Sequence, residues 1–238
     1  MDQSWSRRRL DRWRCGLMKK LFILLLLACS PIWAQFIGTM SGRVGTHTVD
    51  IEATNDGRIR VYDEVYATAR NDGPNPEVST TQNSVGQTAS GNFYLWRLFA
   101  SFVLPEMTTV TSVSLFLDGV SNSSDTDFDV YVFTSTYTDP LEVGDWGLFD
   151  GHQATGAYNG TILNDTWNTT SYSDDWNEIV FNAAGRSAVL AAKNTTFKIA
   201  LISKEDYSSD QPGDSEYVIF STTIHSGLEP YLKVSYTN

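Results

Sequence analysis

The sequence predicts an all-β fold, an antiparallel β-sandwich or jelly roll with one short crossover helix. After residue 35, apolar and polar side chains alternate with a period of two, as they do in strands that bury one face. The alternating runs are short, and segments rich in Gly, Asn, Asp, Ser and Thr separate them. Hydrophobic residues make up 41% of the chain and aromatics 13%, which is enough apolar surface for a packed core.

The clearest strand runs from Leu98 to Leu104, where every second side chain is apolar. Arg97 begins the alternate set of side chains, which is expected to face solvent. Pro105 ends this strand, because proline cannot continue a central strand. A second run, from Val113 to Leu117, leads into Asp118-Gly119, a pair that predicts a turn. Further strands are predicted around residues 59–61, 128–133, 197–201, 217–220 and 231–236.

Only Ala183 to Lys193 has helix-forming composition, and this segment is too short to build a layer of its own. We therefore expect it to cross between strands. No shift in composition, proline-rich linker or internal repeat divides the chain, and 238 residues fit one sandwich domain behind a leader. The expected organisation is a leader over 1–34, a lead-in segment or edge strand over 35–49, and a β-sandwich module over 50–238.

The beginning of the chain predicts export. Met18, the expected true start, and Lys19-Lys20 precede an apolar run from Leu21 to Ala28 that is too short to span a bilayer. This is the pattern of a secretory signal, with cleavage expected after Ala34, and it predicts a secreted or cell-surface protein. The alternative is a lipoprotein signal, because residues 26–29 resemble a lipobox and Cys29 would then carry the lipid anchor.

Charge and cysteine content limit the partners and the chemistry. Residues 35–238 hold 10 of the 17 basic and 26 of the 28 acidic residues, a net charge of −16. Such a surface repels phosphate backbones, so nucleic acid is excluded as a partner. Both cysteines, Cys15 and Cys29, lie in the leader, so the mature module is expected to have neither a disulfide nor a transmembrane span.

No catalytic motif stands out, and we expect a protein without enzymatic activity. Gly-x-Ser-x-Gly, phosphate-loop and dinucleotide patterns are absent from the sequence. His47, His152 and His225 are scattered without the spacing of a zinc site. Paired carboxylates occur, but 26 acidic residues produce such pairs by chance.

One acidic segment suggests calcium. In Asp125-Thr126-Asp127-Phe128-Asp129, alternation would place three carboxylates, those of Asp125, Asp127 and Asp129, on one side of an extended chain. Their mutual repulsion would be relieved by Ca²⁺, which prefers hard oxygen ligands. The alternative interpretation is a solvated loop that enters a strand.

Aromatic side chains in the loop-rich region are the candidate ligand contacts. A flat ring can stack on the apolar face of a sugar, while neighbouring polar groups bind its hydroxyls. The candidates are Trp146, Tyr158, Trp167 and Tyr172, which lie among several asparagines. Trp96 and Trp176, in contrast, fall within strand-like runs and are expected to pack in the core.

A set of segments in one order along the chain carries a family resemblance. They are residues 62–71 (YDEVYATARN), 84–87, 94–105, 110–117, 124–133, 144–147, 176–179, 201–203 and 229–236 (EPYLKVSY). Together they resemble the DNRLRE-type jelly-roll module, and the resemblance covers roughly residues 50–238. It implies a jelly roll used in adhesion or sugar binding at the cell surface, and some such modules are similar to a family that recognises alginate. Against this acidic chain, alginate would need calcium to bridge the charges.

Two functional hypotheses follow. The first is a secreted or surface-attached, non-catalytic module that binds carbohydrate or other cell-surface material, with calcium as the one cofactor considered. The second is a structural subunit of an extracellular appendage, stalk or filament that associates with its own copies through an unpaired strand edge. Residues 35–49 are the first place to look for strand donation.

Overall fold

The computed structural model describes residues 45–238, and the expected signal segment, its cleavage position and Cys29 lie outside them. The described chain is an antiparallel β-sandwich, which confirms the predicted fold class. Its strands are β1 (Thr46–Glu52), β2 (Asn55–Asp63), β3 (Glu77–Ser79), β4 (Asn83–Ser90), β5 (Asn92–Val103), β6 (Thr109–Asn122), β7 (Asp129–Thr134), β8 (Trp167–Asn168), β9 (Trp176–Val180), β10 (Thr196–Ser203), β11 (Glu216–Phe220) and β12 (Tyr231–Thr237). Its helices are α1 (Tyr66–Asp72), α2 (Ala183–Ala191) and α3 (Lys204–Ser208), with 3-10 turns at Val143–Gly147 and Thr169–Ser171.

The strands form one strongly curled sheet that folds into two layers. The smaller layer has the order β1, β12, β6, β9. In the larger layer, β5 is central: it pairs with β2 along one side and with β4 and β10 along the other. Strand β6 belongs to both layers, because it pairs with β12 over Thr109–Phe116 and with β11 from Gly119 onward.

The turn predicted at Asp118-Gly119 is wrong, since β6 continues through it to Asn122. A register shift in β11, between Ile219 and Phe220, marks the place where the strand passes into the larger layer. Glycine is required here by a close approach of two backbone segments: a Cβ at Gly119 would lie 2.0 Å from the carbonyl oxygen of Ser173. The residue that suggested a turn is therefore a contact point within a long strand.

The main core lies between the two layers. The larger layer contributes alternate residues of β5, β7, β10 and β11, and the smaller layer contributes alternate residues of β6, β9 and β12. Examples that are fully buried are Leu98, Ala100, Phe102, Leu115 and Leu232. This alternation is the pattern from which the sequence predicted a sandwich.

A second core lies on the outer face of the larger layer. Leu95 and Phe99 of β5 pack there against Ile59 and Val61 of β2, under α1, the 143–147 turn and the chain around Tyr158. Strand β5 is therefore buried on both faces, and its residues from Leu95 to Phe102 are all buried. The expectation that Arg97 faces solvent is wrong, because this second layer of side chains covers it.

Helix α2 lies where the sequence predicted a helix, and it connects β9 of the smaller layer to β10 of the larger one. Asn182 caps its start by accepting a hydrogen bond from the amide of Gly185 at 3.0 Å. The short helices α1 and α3 were not predicted. Among residues 45–238, no helix is both long and apolar enough to cross a membrane.

Strand β1 forms one edge of the smaller layer. It pairs with β12 from Thr46 to Glu52, and no other described strand pairs with it. The part of the 35–49 segment from Thr46 onward thus belongs to an edge strand, one of the two expectations for that segment.

Candidate functional site

The structure places three of the four predicted ligand-binding aromatics in the interior. Trp146, Tyr158 and Trp167 expose only 4%, 2% and 7% of their surface. Tyr172 is half-buried against the main core, and its hydroxyl donates to the carbonyl of Ile219 at 3.2 Å. The rings of Trp146, Tyr158 and Trp167 therefore pack inside the protein in this structure, and their role as ligand contacts stays a prediction.

Trp146 and Tyr158 surround a buried arginine. The guanidinium of Arg97 lies 3.5 Å from the centre of the Trp146 ring, a cation–π contact. Arg97 also donates to the Tyr158 hydroxyl at 2.5 Å and to the Trp146 carbonyl at 2.8 Å. The loop that the sequence marked as a binding loop is thus a cover that holds Arg97 in place.

A second arginine completes this buried cluster. Arg70 of α1 donates from Nε to the carbonyl of Asp206 at 2.6 Å, and its guanidinium lies 3.7 Å from the centre of the Tyr158 ring. Burial is the largest single influence on Arg97 and disfavours its charge, but the charges of and hydrogen bonds to Asp206 and Tyr158 together outweigh it and raise the pKa of Arg97. The cluster satisfies its own hydrogen bonds, so it stabilises the fold and offers no binding surface.

The three aspartates of the predicted calcium site have separate partners. Asp125 accepts from the amide of Ser215 at 3.2 Å, and Asp127 accepts from the hydroxyl of Thr169 at 3.3 Å. Asp129 accepts from the side chain of Asn168 at 2.8 Å. Within residues 45–238, no group of three or more His, Cys, Asp and Glu side chains is placed to hold a metal ion. The predicted site is not assembled from Asp125, Asp127 and Asp129, because Asp125 is bonded to the chain at Ser215, whereas Asp127 and Asp129 are bonded to Thr169 and Asn168.

An aromatic strip crosses the larger layer, and it consists of Tyr62, Tyr94, Trp96 and Tyr217. Consecutive ring centres along it are 5.4, 6.2 and 4.7 Å apart. The three tyrosines are half-buried, and Trp96 is 8% exposed. Trp96 lies on the same face of β5 as Leu98, which packs in the main core, so the strip continues the inner face of the layer.

Unpaired hydrogen-bond donors accompany this strip. Trp96 Nε1 is buried and has no hydrogen-bond partner among the described residues, and the same is true of the Nε atoms of Arg58 and Arg60. Arg60 lies over the Tyr94 ring at 5.7 Å and forms an ion pair with Glu77. Burial, and then the charge of Arg60, lower the pKa of Arg58. The charge of Arg60 is balanced by Glu77, so the positive charge without an ion-pair partner here, among the described residues, is that of Arg58.

A second open surface lies on the outer face of the smaller layer. An open depression of about 250 Å³ is lined there by Asp50, Glu52, Trp176, Gly227, Glu229 and Tyr231. Trp176 was expected in the core, and this prediction is wrong: its side chain is half-buried at the surface of the depression, because it lies on the outward face of β9.

Sequence reasoning missed both surfaces for one reason. It sought ligand contacts in loops, whereas these aromatics lie on strands. In the folded sheet, Tyr94 and Trp96 lie beside β2, where Arg60 pairs with Trp96 and Tyr62 with Tyr94. This register is a property of the folded sheet, so the sequence alone offered the residues but not their association.

Comparison with known proteins gives no matching family model and no matching curated protein. The resemblance to DNRLRE-type modules therefore stays a prediction.

Proposed function

We propose that the protein is an exported, non-catalytic β-sandwich module that binds carbohydrate along the aromatic strip. One observation supports this above the others: the half-buried rings of Tyr62, Tyr94 and Tyr217 lie in one row on a sheet face, with the buried ring of Trp96 packed between Tyr94 and Tyr217.

The chemistry of the strip suits a sugar. Pyranose rings have apolar faces that stack on aromatic side chains, and their hydroxyls accept hydrogen bonds at the ring edges. The row of four rings is long enough for more than one sugar unit. Arg58 and Arg60 would donate to hydroxyl, ether or acidic oxygens of the glycan.

We also propose that the protein is not catalytic, because the groups at the strip suit binding and not proton transfer. Its rings and guanidiniums can hold a ligand, but arginine remains protonated and does not exchange protons at neutral pH. Export is proposed from the signal predicted over residues 18–34, and mass spectrometry of the mature N-terminus tests it. A terminus at Gln35 supports free secretion, and a lipidated Cys29 supports an anchored protein.

The test of binding is a double substitution in the strip. The full chain is screened on an array of neutral and acidic glycans, and the best ligand is titrated into the wild type and into Tyr94→Ala/Tyr217→Ala. We expect at least a tenfold loss of affinity, because each stacking contact contributes on the order of 1 kcal/mol. Tyr236→Ala is the control, since Tyr236 lies on β12 against His47 and away from the strip. Equal affinity in all three proteins would reject the strip.

The exposed edge of β1 favours a second candidate, self-association as a subunit of an appendage or filament. A seven-residue edge strand offers unpaired backbone groups to a neighbouring chain. Light scattering during size-exclusion chromatography decides between the two. A monomer at all concentrations supports the binding module, and oligomers that Thr48→Pro dissociates support the appendage subunit.

A further inference from the structure

The register of the strands determines where the depression lies on the smaller layer. Glu52 of β1 lies opposite Tyr231 of β12, and Tyr231 lies opposite Phe116 of β6. Residues directly opposite on neighbouring strands project from the same face of a sheet. The acidic and aromatic side chains are therefore adjacent because of the sheet itself, on rigid strands.

Three rings form the aromatic side of this surface. Tyr231 and Phe116 are stacked, with ring centres 4.7 Å apart and an interplanar angle of 2°. Trp176 meets Tyr231 edge-on at 5.0 Å and 72°. All three are half-buried, so part of each ring faces solvent. Trp176 and Tyr231 form the part that lines the depression.

Carboxylates surround these rings and exceed the nearby positive charge. Asp50 and Glu52 are exposed on β1, and Glu229 is half-buried and accepts a hydrogen bond from the amide of Gly227 at 2.6 Å. In the described part of the chain, Asp50 forms an ion pair with Lys233, whereas Glu52 and Glu229 form none. The depression therefore has a local excess of negative charge.

The chain's own ammonium group shows what this combination attracts. Lys233 Nζ lies 3.9 Å from a carboxylate oxygen of Asp50. It also lies 4.9 Å from the centre of the Phe116 ring and 5.9 Å from that of Tyr231. Carboxylate and aromatic groups together bind this ammonium on one side of Tyr231, and the same two kinds of group, from Glu52 and Trp176, lie on the other side.

We propose that the depression is a second binding site, for a sugar that carries a free amino group, as in glucosamine polymers. The sugar ring stacks on Trp176 or Tyr231, and its ammonium pairs with Glu52 and Glu229. A bare metal ion would use the carboxylates but not the rings, whereas an amino sugar uses both. This site is separate from the aromatic strip, so it does not depend on that proposal.

Calorimetry with two matched probes tests the inference. A glucosamine hexamer and an N-acetylglucosamine hexamer are titrated into the full chain at about pH 6, where the free amine is protonated. We expect the glucosamine hexamer to bind at least tenfold more tightly, because acetylation removes the charge. Trp176→Ala and Glu52→Gln/Glu229→Gln should each weaken its binding by about tenfold.

Two control variants distinguish binding in the depression from unspecific charge attraction and from binding at the strip. Asp125→Asn/Asp214→Asn removes two exposed carboxylates that do not line the depression and should leave affinity unchanged, so an equal loss in this variant would mean unspecific attraction to an acidic protein. Tyr94→Ala/Tyr217→Ala should also retain binding, and its loss there would assign the ligand to the strip. Equal affinity for both hexamers would overturn the preference for an amine without affecting the strip proposal.

Discussion

Arg97 and Asp206 form a two-bond ion pair in the interior of the protein. Arg97 Nε donates to Oδ2 of Asp206 at 2.8 Å, and Nη2 donates to Oδ1 at 3.0 Å. The two side chains are 0% and 2% exposed. Arg70 Nε approaches the same carboxylate at 3.3 Å, so one anion from α3 joins a central strand to α1. Planar, bidentate geometry of this kind requires arginine.

Breaking this pair is expected to cost much of the stability of the fold. Arg97→Met leaves the Asp206 carboxylate buried with half of its charge compensation, and removing one partner of a buried pair typically costs about 3–5 kcal/mol. Urea unfolding at pH 7 measures it. The control is Lys193→Met, which breaks an exposed pair with Glu106 and should cost less than about 1 kcal/mol. Similar losses in both variants would show that burial of the Arg97 pair has no special effect.

Trp146 is expected to affect stability and not binding. Its indole N–H donates to the carbonyl of Arg70 at 3.0 Å, and Arg97 and Tyr158 donate to the same oxygen, so Trp146→Phe removes one of three hydrogen bonds and should cost about 0.5–1.5 kcal/mol. Trp176→Phe, at the surface, should change the free energy of unfolding by less than about 0.5 kcal/mol. Chemical denaturation and glycan titration are measured on both variants. Lost affinity at unchanged stability in Trp146→Phe would mean that this residue contacts the ligand after all.

Glu205 makes stability depend on pH. Burial, with the charge of Glu216 adding to it, raises the pKa of Glu205 to about 7, from an ordinary 4.5. Between these values the folded chain keeps a proton that the unfolded chain has lost. The stabilisation is therefore complete below pH 4.5 and is lost as the pH rises toward 7.

Glu205→Gln is expected to remove this dependence. The stability of the variant relative to the wild type should increase between pH 4.5 and 7, as measured by urea unfolding at several pH values. Burial also lowers the pKa of His152 to about 4, so over part of this range His152 makes the stability of the fold rise with pH. This effect is present in both proteins and cancels in their difference. Glu178→Gln provides the baseline, since Glu178 is exposed. A flat difference for Glu205→Gln would show that Glu205 titrates normally.

Two glycines allow backbone strain to be separated from side-chain collision. Gly73, which ends α1, and Gly91 have positive φ angles of 57° and 78°. A Cβ at Gly73 would lie 2.5 Å from Trp146, whereas a Cβ at Gly91 would meet nothing within 4 Å. Gly91→Ala should cost about 1 kcal/mol from strain alone. Gly73→Ala should cost clearly more in thermal and urea unfolding, and equal losses would mean that Trp146 moves aside freely.

The sandwich could be predicted from sequence because alternation directly records which face of a strand is buried. Leu98, Ala100 and Phe102 lie in the main core as their spacing indicates. The second core was harder to predict, because its cover comes from distant loops. A strand buried on both faces can place Arg97 beside Phe99 when a carboxylate 109 residues away neutralises it. Local periodicity contains no information about such a partner.

The candidate site, like the fold, could be predicted from the sequence only in part. Aromatic rings were expected to bind sugars, but the rings chosen from the sequence lie in loops. In the structure, Trp146 and Tyr158 pack around arginine side chains. The aromatic strip and the acidic depression depend on strand register, which brings together residues as distant as Glu52 and Tyr231. Only the pairing of strands makes them neighbours.

Strand β6 runs without a break from one layer into the other, with backbone partners in both. Neither layer can therefore separate or melt while the other keeps its ladder intact, and unfolding should be a single all-or-none event. Residues 45–238 contain no cysteine, and this shared strand connects the two layers through the main chain, as a disulfide connects the layers of many small β domains.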